Sequence, residues 1–405
     1  MEWGINFTAW PEMIAWPYLI LQGWLPYRDI AIAHNPLLLL DLVVFFKLFG
    51  VGILQLKIYT WVLISINIYI TYFVANKFWS KNVAFASAAI YLLLTVVYEG
   101  NGLWFDLALV PFVLLLYLFI RQKKYLFAGI IFALGFLTKQ TFIYFLIPVL
   151  LSNINIKKFL LGVTSIFGIF TLYLFTNNLI LYYYDWAIKF GIFYLPNAVG
   201  QVQLPTLRQF LFSVFPFLIF TLNFDFLLLT FAFVGVLGVY PRWELFHFQP
   251  ALPFIAIAVA IFLFSKSRNI VKIVFLIFIF CFAFVGLKRQ IGNNTRFYEP
   301  EVIKITEEII KLRTEEIYII NYWDNIYAFT NTIPSTKPLI PYIPWYLSYD
   351  NSKDLILNDL KSEMSEAIMV NEKDKLEFLE LKDFIDMFYS CENKFKQVEL
   401  CIKNK

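Results

Sequence analysis

Residues 104–124 read WFDLALVPFVLLLYLFIRQKK: an acid near the start, an apolar run without a charge, then Arg121, Lys123 and Lys124. A bilayer core of about 30 Å takes roughly 20 apolar residues as a helix. Loops on the cytoplasmic side gather Lys and Arg, so the basic end of this stretch marks the inner face. Asp106 then sits at the outer end, just inside the span.

Working outward from 104–121, further apolar runs cover 56–78, 82–98, 125–138, 141–152, 158–176, 207–222, 226–240, 253–266 and 270–287. The stretch 36–50 is apolar but carries Asp41 and Lys47, and reads as interfacial or half-inserted. Basic residues recur at alternate connections: Lys77 with Lys81, Arg121 to Lys124, Lys157 with Lys158, then Lys266, Arg268 and Lys272. Alternate clustering is what an in-and-out weave requires. It puts 1–35, 98–104, the turn at Lys139-Gln140, 177–206 and 241–252 outside, together with everything after 288.

Composition agrees. Hydrophobic residues make up 60% of the chain and charged residues 15%, against about 25% charged in soluble domains. A net charge of +4 is too small to argue for nucleic acid. The opening Met1-Glu2-Trp3-Gly4 lacks the basic region of a cleavable signal, and the segment through Gly23-Trp24-Leu25-Pro26-Tyr27-Arg28-Asp29 reads as an ordered loop.

From about 289 the character changes. Glu301 to Arg313 is a polar, helix-like stretch, Glu316 to Ile320 a strand, and Pro334, Pro338, Pro341 and Pro344 break the next segment into turns. A strand over Ala367 to Val370, a helix over Lys375 to Tyr389 and a strand over Gln397 to Ile402 complete a small α/β unit. Cys281, Cys391 and Cys401 form no metal pattern. Cys391 and Cys401 are able to pair if the tail lies outside the cell, but read here as free thiols. The fold expected is an all-α polytopic membrane bundle of about ten transmembrane helices with a small C-terminal extracytoplasmic α/β domain. Its divisions are a first extracytoplasmic loop over 1–35, the bundle over 36–288 and the α/β domain over 289–405.

Ionisable side chains at membrane depth are costly and point to function by default. The outer loops hold Glu12 and Asp29, His34 before Asn35-Pro36, Glu99, Asp106, Lys139, and Arg242 with His247 in the run Pro241 to Pro250. Plainer roles stand beside each. Lys139 and Arg242 suit snorkelling to headgroups, Glu12 suits a solvated loop, Asp29 a cap or a pair with Arg28, and His34 a turn. Asp106 suits an N-cap, and Asp185 with Lys189 an i,i+4 pair. Together, two carboxylates and several cations at one outer cavity suit transfer from a phosphate-linked donor. A carboxylate serves as base toward an acceptor hydroxyl, and the cations stabilise the departing phosphate.

The order of these elements resembles a known family. Gly23 to Asp29 leading into His34-Asn35-Pro36-Leu37, Leu48-Phe49-Gly50, Asp106 opening its span, Gly135-Phe136-Leu137-Thr138-Lys139, and Pro241-Arg242 running into Pro250-Ala251-Leu252-Pro253 are similar to membrane glycosyltransferases of the GT-C class. Specifically, they resemble the dolichyl-phosphate-mannose protein mannosyltransferase-like and aminoarabinose-transferase-like proteins of glycosyltransferase family 39. The resemblance spans most of 9–290, and more loosely the tail. It implies a polyprenyl-phosphate-sugar donor, a glycan, lipid or protein acceptor, an inverting single displacement at the extracytoplasmic face, and contact with membrane lipids; the excess of Lys over Arg and the abundance of Ile, Phe and Asn point to a microbial plasma membrane. It implies a catalytic carboxylate in the first outer loop, where this chain offers Glu12 without an adjacent Asp, or at the second outer acidic position, Asp106. Lys139 and Arg242 fall where donor-phosphate contacts are expected, with His247 and His34 beside them and Asp29 and Glu99 as supporting acids. The family has a transmembrane helix ahead of that first loop, whereas this sequence begins inside the loop. The pattern establishes no cofactor; the acids are open to a divalent cation, but no ligand spacing argues for one. The competing classes are a transporter or flippase of a lipid-linked saccharide, which calls for polar residues in mid-span and paired halves, and a non-catalytic scaffold, which predicts no shared cavity for Glu12, Asp106, Lys139 and Arg242.

Overall fold

The computed structural model describes residues 4–8, 10–221, 225–266, 269–292, 300–320, 324–371, 377–395 and 398–404. The apolar runs become helices close to where they were expected: α3 (Ile53–Phe78), α4 (Lys81–Val97), α5 (Phe105–Arg121), α6 (Tyr125–Thr138), α7 (Leu146–Leu151), α8 (Ile156–Thr176), α10 (Leu207–Val214), α11 (Phe226–Leu237), α12 (Leu252–Leu263) and α13 (Asn269–Gln290). The basic residue Arg268 lies outside the described residues. Among those described, three helices are long and apolar enough to cross a bilayer by themselves: Ile53–Phe78, Ile156–Thr176 and Lys272–Gln290. The others are shorter, so helix length alone does not support ten crossings.

Apolar side chains cover the outside of the bundle. Tyr69 on α3, Ile169 and Leu172 on α8, and Ile270 and Phe280 on α13 all stand more than half exposed, a surface suited to hydrocarbon and not to water. Inside, α12 is buried on nearly every side and packs on α3, α4 and α11. Helices α6 and α8 cross backbone to backbone. A Cβ placed on Gly129 would collide with the carbonyl oxygen of Phe159, and one on Gly162 with that of Leu126. Small residues at such crossings let helices associate by close packing, since lipid offers no hydrophobic drive between them.

The first segment is more ordered than a loop. It contains α1 (Glu12–Leu21), eight of whose ten residues are buried, and is followed by α2 (Leu37–Phe49). A helix buried all round has no polar face to give it a period, and Pro17 within it reads as a breaker. The long connection after α8 is also helical, through α9 (Ile180–Tyr183) and a wide π-type turn over Tyr184–Tyr194.

After α14 (Pro300–Leu312), the C-terminal domain builds one five-stranded sheet. Its strands are β1 (Glu316–Ile320), β2 (Ile333–Pro334), β3 (Ala367–Asn371), β4 (Tyr389–Phe395) and β5 (Val398–Lys403), in the order β2-β1-β3-β5-β4. The first three run parallel, and β5 and β4 are antiparallel additions. Helices α15 (Asn325–Thr330), α16 (Pro344–Leu347), α17 (Ser352–Ser362) and α18 (Leu379–Phe388) connect them. The helix expected from Lys375 starts at Leu379, with Lys375 outside the described residues, as is Gln397 at the expected start of the last strand. Strand β4 was not expected. It corrects the reading of the thiols: Cys391 on β4 and Cys401 on β5 lie on neighbouring antiparallel strands with Cα atoms 4.0 Å apart, and are joined in a disulfide. Cys281 is free and exposed.

The domain is seated on the bundle by the first segment. The Leu339 N–H donates to the Asp29 carbonyl at 2.8 Å, the Ala31 N–H donates to that of Leu339 at 2.9 Å, and α1 packs directly on α15.

Candidate active site

Asp106 sits in the first turn of α5, where the positive end of the helix dipole favours an anion. The residue before the helix, Trp104, makes no side-chain cap. The Asp106 carboxylate does not cap its own helix either. Its Oδ2 receives the Lys139 ammonium at 2.6 Å and lies 2.7 Å from His247 Nδ1. All three are buried, Asp106 at 1% exposure.

Each partner is brought there by a break in a helix. Lys139 follows the last residue of α6 with an extended backbone, φ −150° and ψ 135°, which turns its side chain off the helix axis toward α5. His247 lies in a short 3-10 turn over Leu245–Phe248 between α11 and α12. Gln249, just after it, pins that turn to the end of α4 by donating to the carbonyls of Tyr98 at 2.9 Å and Thr95 at 3.3 Å. The neighbourhood of Lys139 is fixed the same way. Gln140 Nε2 donates to the carbonyls of Ala33 at 2.7 Å and Ala187 at 3.2 Å, and Asn35 donates to the Phe136 carbonyl while accepting from the Tyr183 hydroxyl at 2.8 Å. The first segment, the end of α6 and the π-type turn are therefore tied at one point.

In front of this cluster opens a cavity of about 640 Å³. Glu12, His34, Lys139, Arg242 and His247 line it, with Glu244 among them; Asp106 lies behind them and not on the cavity surface. Trp10, Trp104 and Phe246 form an aromatic wall, Trp10 and Trp104 with ring centres 5.3 Å apart. Arg242 lies 2.9 Å from a Glu244 oxygen, and its guanidinium stands 5.5 Å from the Trp345 ring centre. The other Glu244 oxygen is 3.8 Å from His247 Nε2. Two ion pairs, Arg242 with Glu244 on the wall and Lys139 with the Asp106 carboxylate behind it, thus flank the His247 ring.

Electrostatics leave both histidines neutral at pH 7. Burial, followed by the Lys139 charge, lowers His34 to about 3. Burial also lowers His247 from its ordinary value, with Asp106 pulling the other way. Glu12 is 6% exposed. Asp324, in the C-terminal domain just before α15, is within electrostatic reach of it. Burial and then the Glu12 charge push the Asp324 carboxyl well above the usual range.

Asp29 and Glu99 stand apart from this cavity. Asp29 accepts from Arg28 Nε at 2.9 Å and Nη2 at 2.8 Å and from the Leu25 N–H at 2.8 Å. Glu99 lines a separate, minute cavity with Thr8 and Gly102. Asp185 and Lys189 form their i,i+4 pair at 3.6 Å and take no part in the cluster. Glu244, Asp324 and the aromatic wall were not singled out in the sequence. Only Glu244 left a signal there, lying two residues after Arg242 and three before His247. Among the described residues, the one grouping of three side chains able to hold a metal is Cys391, Glu399 and Cys401, and its two sulfurs are bonded to each other.

The sequence family described as dolichyl-phosphate-mannose-protein mannosyltransferase matches residues 33–184, a stretch that includes His34, Asp106 and Lys139. No curated protein sequence matches the chain. Among solved structures, ArnT from Cupriavidus metallidurans bound to undecaprenyl phosphate is similar with a TM-score of 0.67 at 10% identity, covering 97% of this chain and 92% of that one. The same protein in the apo state gives 0.65 at 10% identity, covering 96% and 92%. The shared fold extends over the C-terminal domain as well as the bundle. The resemblance read from the sequence, to GT-C membrane glycosyltransferases of the dolichyl-phosphate-mannose protein mannosyltransferase type, is borne out.

Proposed function

We propose that this membrane protein is a glycosyltransferase that moves a sugar from a polyprenyl-phosphate donor to a hydroxyl or amine of a glycan, lipid or protein acceptor. The transfer is an inverting single displacement at the extracytoplasmic face of the plasma membrane. The observation that carries this reading is the single cavity lined by Glu12, Lys139, Arg242 and His247. A non-catalytic scaffold gives no reason for four such groups to converge from three separate segments, the first outer segment, the end of α6 and the connection between α11 and α12. A solved structure of the same fold holds undecaprenyl phosphate, which supports a lipid phosphate as the donor handle. The Cys391–Cys401 disulfide supports an oxidising compartment for the C-terminal domain, in keeping with the basic clusters on the opposite loops.

Lys139 and Arg242 form the phosphate cradle. An ammonium carries three donors and a guanidinium five. Asp106 occupies one donor of Lys139, and Glu244 lies 2.9 Å from Arg242 Nε, which leaves donors on both cations for phosphate oxygens. Glu12 lines the cavity as a carboxylate facing sugar or acceptor hydroxyls. Asp106 is a positioning residue, because its contacts hold Lys139 and His247. The aromatic wall offers flat apolar surface to a sugar face.

The test is transfer of radiolabelled sugar from polyprenyl-phosphate donors by the full chain in liposomes. Wild type should transfer, and Glu12→Gln should slow single-turnover transfer about a hundredfold, the scale of losing one charge-bearing contact in a dry site. Undiminished transfer in Glu12→Gln would remove Glu12 from the site. No wild-type transfer with any donor would overturn the reading.

A further inference from the structure

The hydrogen-bond pattern around His247 fixes more than its position. Asp106 Oδ2 already accepts the Lys139 ammonium at 2.6 Å and lies 2.7 Å from His247 Nδ1. Two atoms so close need a proton between them. Lys139 Nζ also lies 3.4 Å from Nδ1, but the 2.7 Å approach of the Asp106 oxygen, an acceptor already holding that ammonium, is the tighter one, so Nδ1 carries the hydrogen. In a neutral imidazole the other nitrogen is then a bare acceptor, and Nε2 turns its lone pair away from Asp106. The Glu244 carboxylate stands 3.8 Å from Nε2, beyond hydrogen-bond distance, as befits two acceptors with no proton to share. His247 lines the cavity.

We propose that His247, oriented by Asp106, is the general base that takes the proton of the acceptor. The inference rests on the glycosyltransferase reading and names the group that reading leaves open. As the acceptor oxygen bonds to the anomeric carbon, its proton passes to Nε2. The bond from that carbon to the phosphate oxygen breaks, and its electron pair leaves with polyprenyl phosphate. The imidazolium formed keeps Asp106 as its counter-ion, the arrangement by which a carboxylate holds a histidine in the right tautomer. It also appears beside Lys139, so the positive charge gained on the wall matches the negative charge gained by the phosphate. The charged and titratable groups facing His247 are Asp106 from α5, Lys139 from the end of α6, Glu244 from its own segment and His34 from the first segment. Burial and Lys139 disfavour its protonation while Asp106 and Glu244 favour it, and the balance lies below the ordinary value. The neutral form therefore prevails at pH 7, and a base must be neutral to act. Its activity is lost as pH falls through a value below 6.5.

The alternative role, a cation holding the donor phosphate, predicts the opposite requirement, and the experiment separates the two. Single-turnover transfer is followed against pH for wild type, His247→Ala and His247→Gln, with binding of polyprenyl phosphate measured in parallel. A base predicts a loss of about a hundredfold or more at saturating donor, little change in polyprenyl-phosphate affinity, and disappearance of the acid limb from the residual rate. Added imidazole should restore His247→Ala in proportion to its neutral fraction. Wild-type rates in both variants, a retained acid limb, rescue that follows imidazolium, or a loss seen in phosphate affinity and not in turnover would each overturn the proposal. If His247→Ala folds poorly or excludes imidazole, the limb in His247→Gln decides. Absence of transfer by wild type sinks the enzyme reading itself, and this inference with it.

Discussion

Two ion pairs of this chain have similar distances and opposite standing. Arg28 and Asp29 are neighbours in sequence and meet at 2.8 Å with the arginine side chain 43% exposed. Lys139 and Asp106 are 33 residues apart and meet at 2.6 Å with side chains 6% and 1% exposed. The first pair is visible in the sequence and worth little, because the long Arg28 side chain stands half in water and loses freedom to make it, and the buried Asp29 carboxylate keeps the Leu25 N–H without it. The second cannot be seen in the sequence. It is costly to break, since removing one partner strands the other in a medium that cannot solvate it. A charge pair that apolar groups could replace at almost no loss of stability, yet is ruinous to halve, fits a site better than a scaffold.

The largest effect should follow from halving the buried pair. Lys139→Met leaves the Asp106 carboxylate with His247 alone and should destabilise the folded protein by about 3–5 kcal/mol, read as thermal unfolding in detergent. An unchanged unfolding temperature would mean that Lys139 does not hold Asp106. A smaller effect is expected from removing both charges. Asp106→Asn with Lys139→Met should stay within about 2 kcal/mol of wild type in stability while losing transfer, separating the pair's structural cost from its use. If the double variant is as unstable as the single one, the pair is structural. The smallest effect belongs to Arg28→Gln, under about 1 kcal/mol by the same unfolding measurement. At neutral pH its partner stays ionised: burial raises the Asp29 carboxyl, but Arg28, the Leu25 N–H and Lys337 outweigh it and hold it below the ordinary value. That contribution is present above pH 3.8 and is lost only as pH falls through the lower folded value.

The same contrast explains what was legible beforehand. Apolar runs announce themselves one residue at a time, which is why α3, α5, α6 and α8 fall within a few residues of expectation. The positions of Asp106, Lys139 and Arg242 were legible because a charge beside an apolar run is conspicuous. Their mutual distances were not, since those depend on where α6 stops and how the turn at His247 is pinned by Gln249. Helix α1 escaped because nearly all of it is buried and Pro17 interrupts it. Strand β4 escaped because Tyr389 to Phe395 alternates poorly and comes directly after a helix, and with it went the pairing of Cys391 with Cys401. Asp324 carries no local sign at all; only the docking of α15 on α1 gives it meaning.

The crossing of α6 and α8 at Gly129 and Gly162 has a bearing on how this fold persists through divergence. Hydrocarbon does not distinguish one aliphatic side chain from another, so the lipid face of α8 is free to drift through Ile, Leu, Phe and Val with little selective consequence. The crossing is not free, because at either glycine even a methyl group meets a backbone carbonyl. It anchors α6, the helix that Lys139 follows. Substitution at the crossing costs packing, while substitution on the lipid face costs little, so the two surfaces of one helix carry different tolerances.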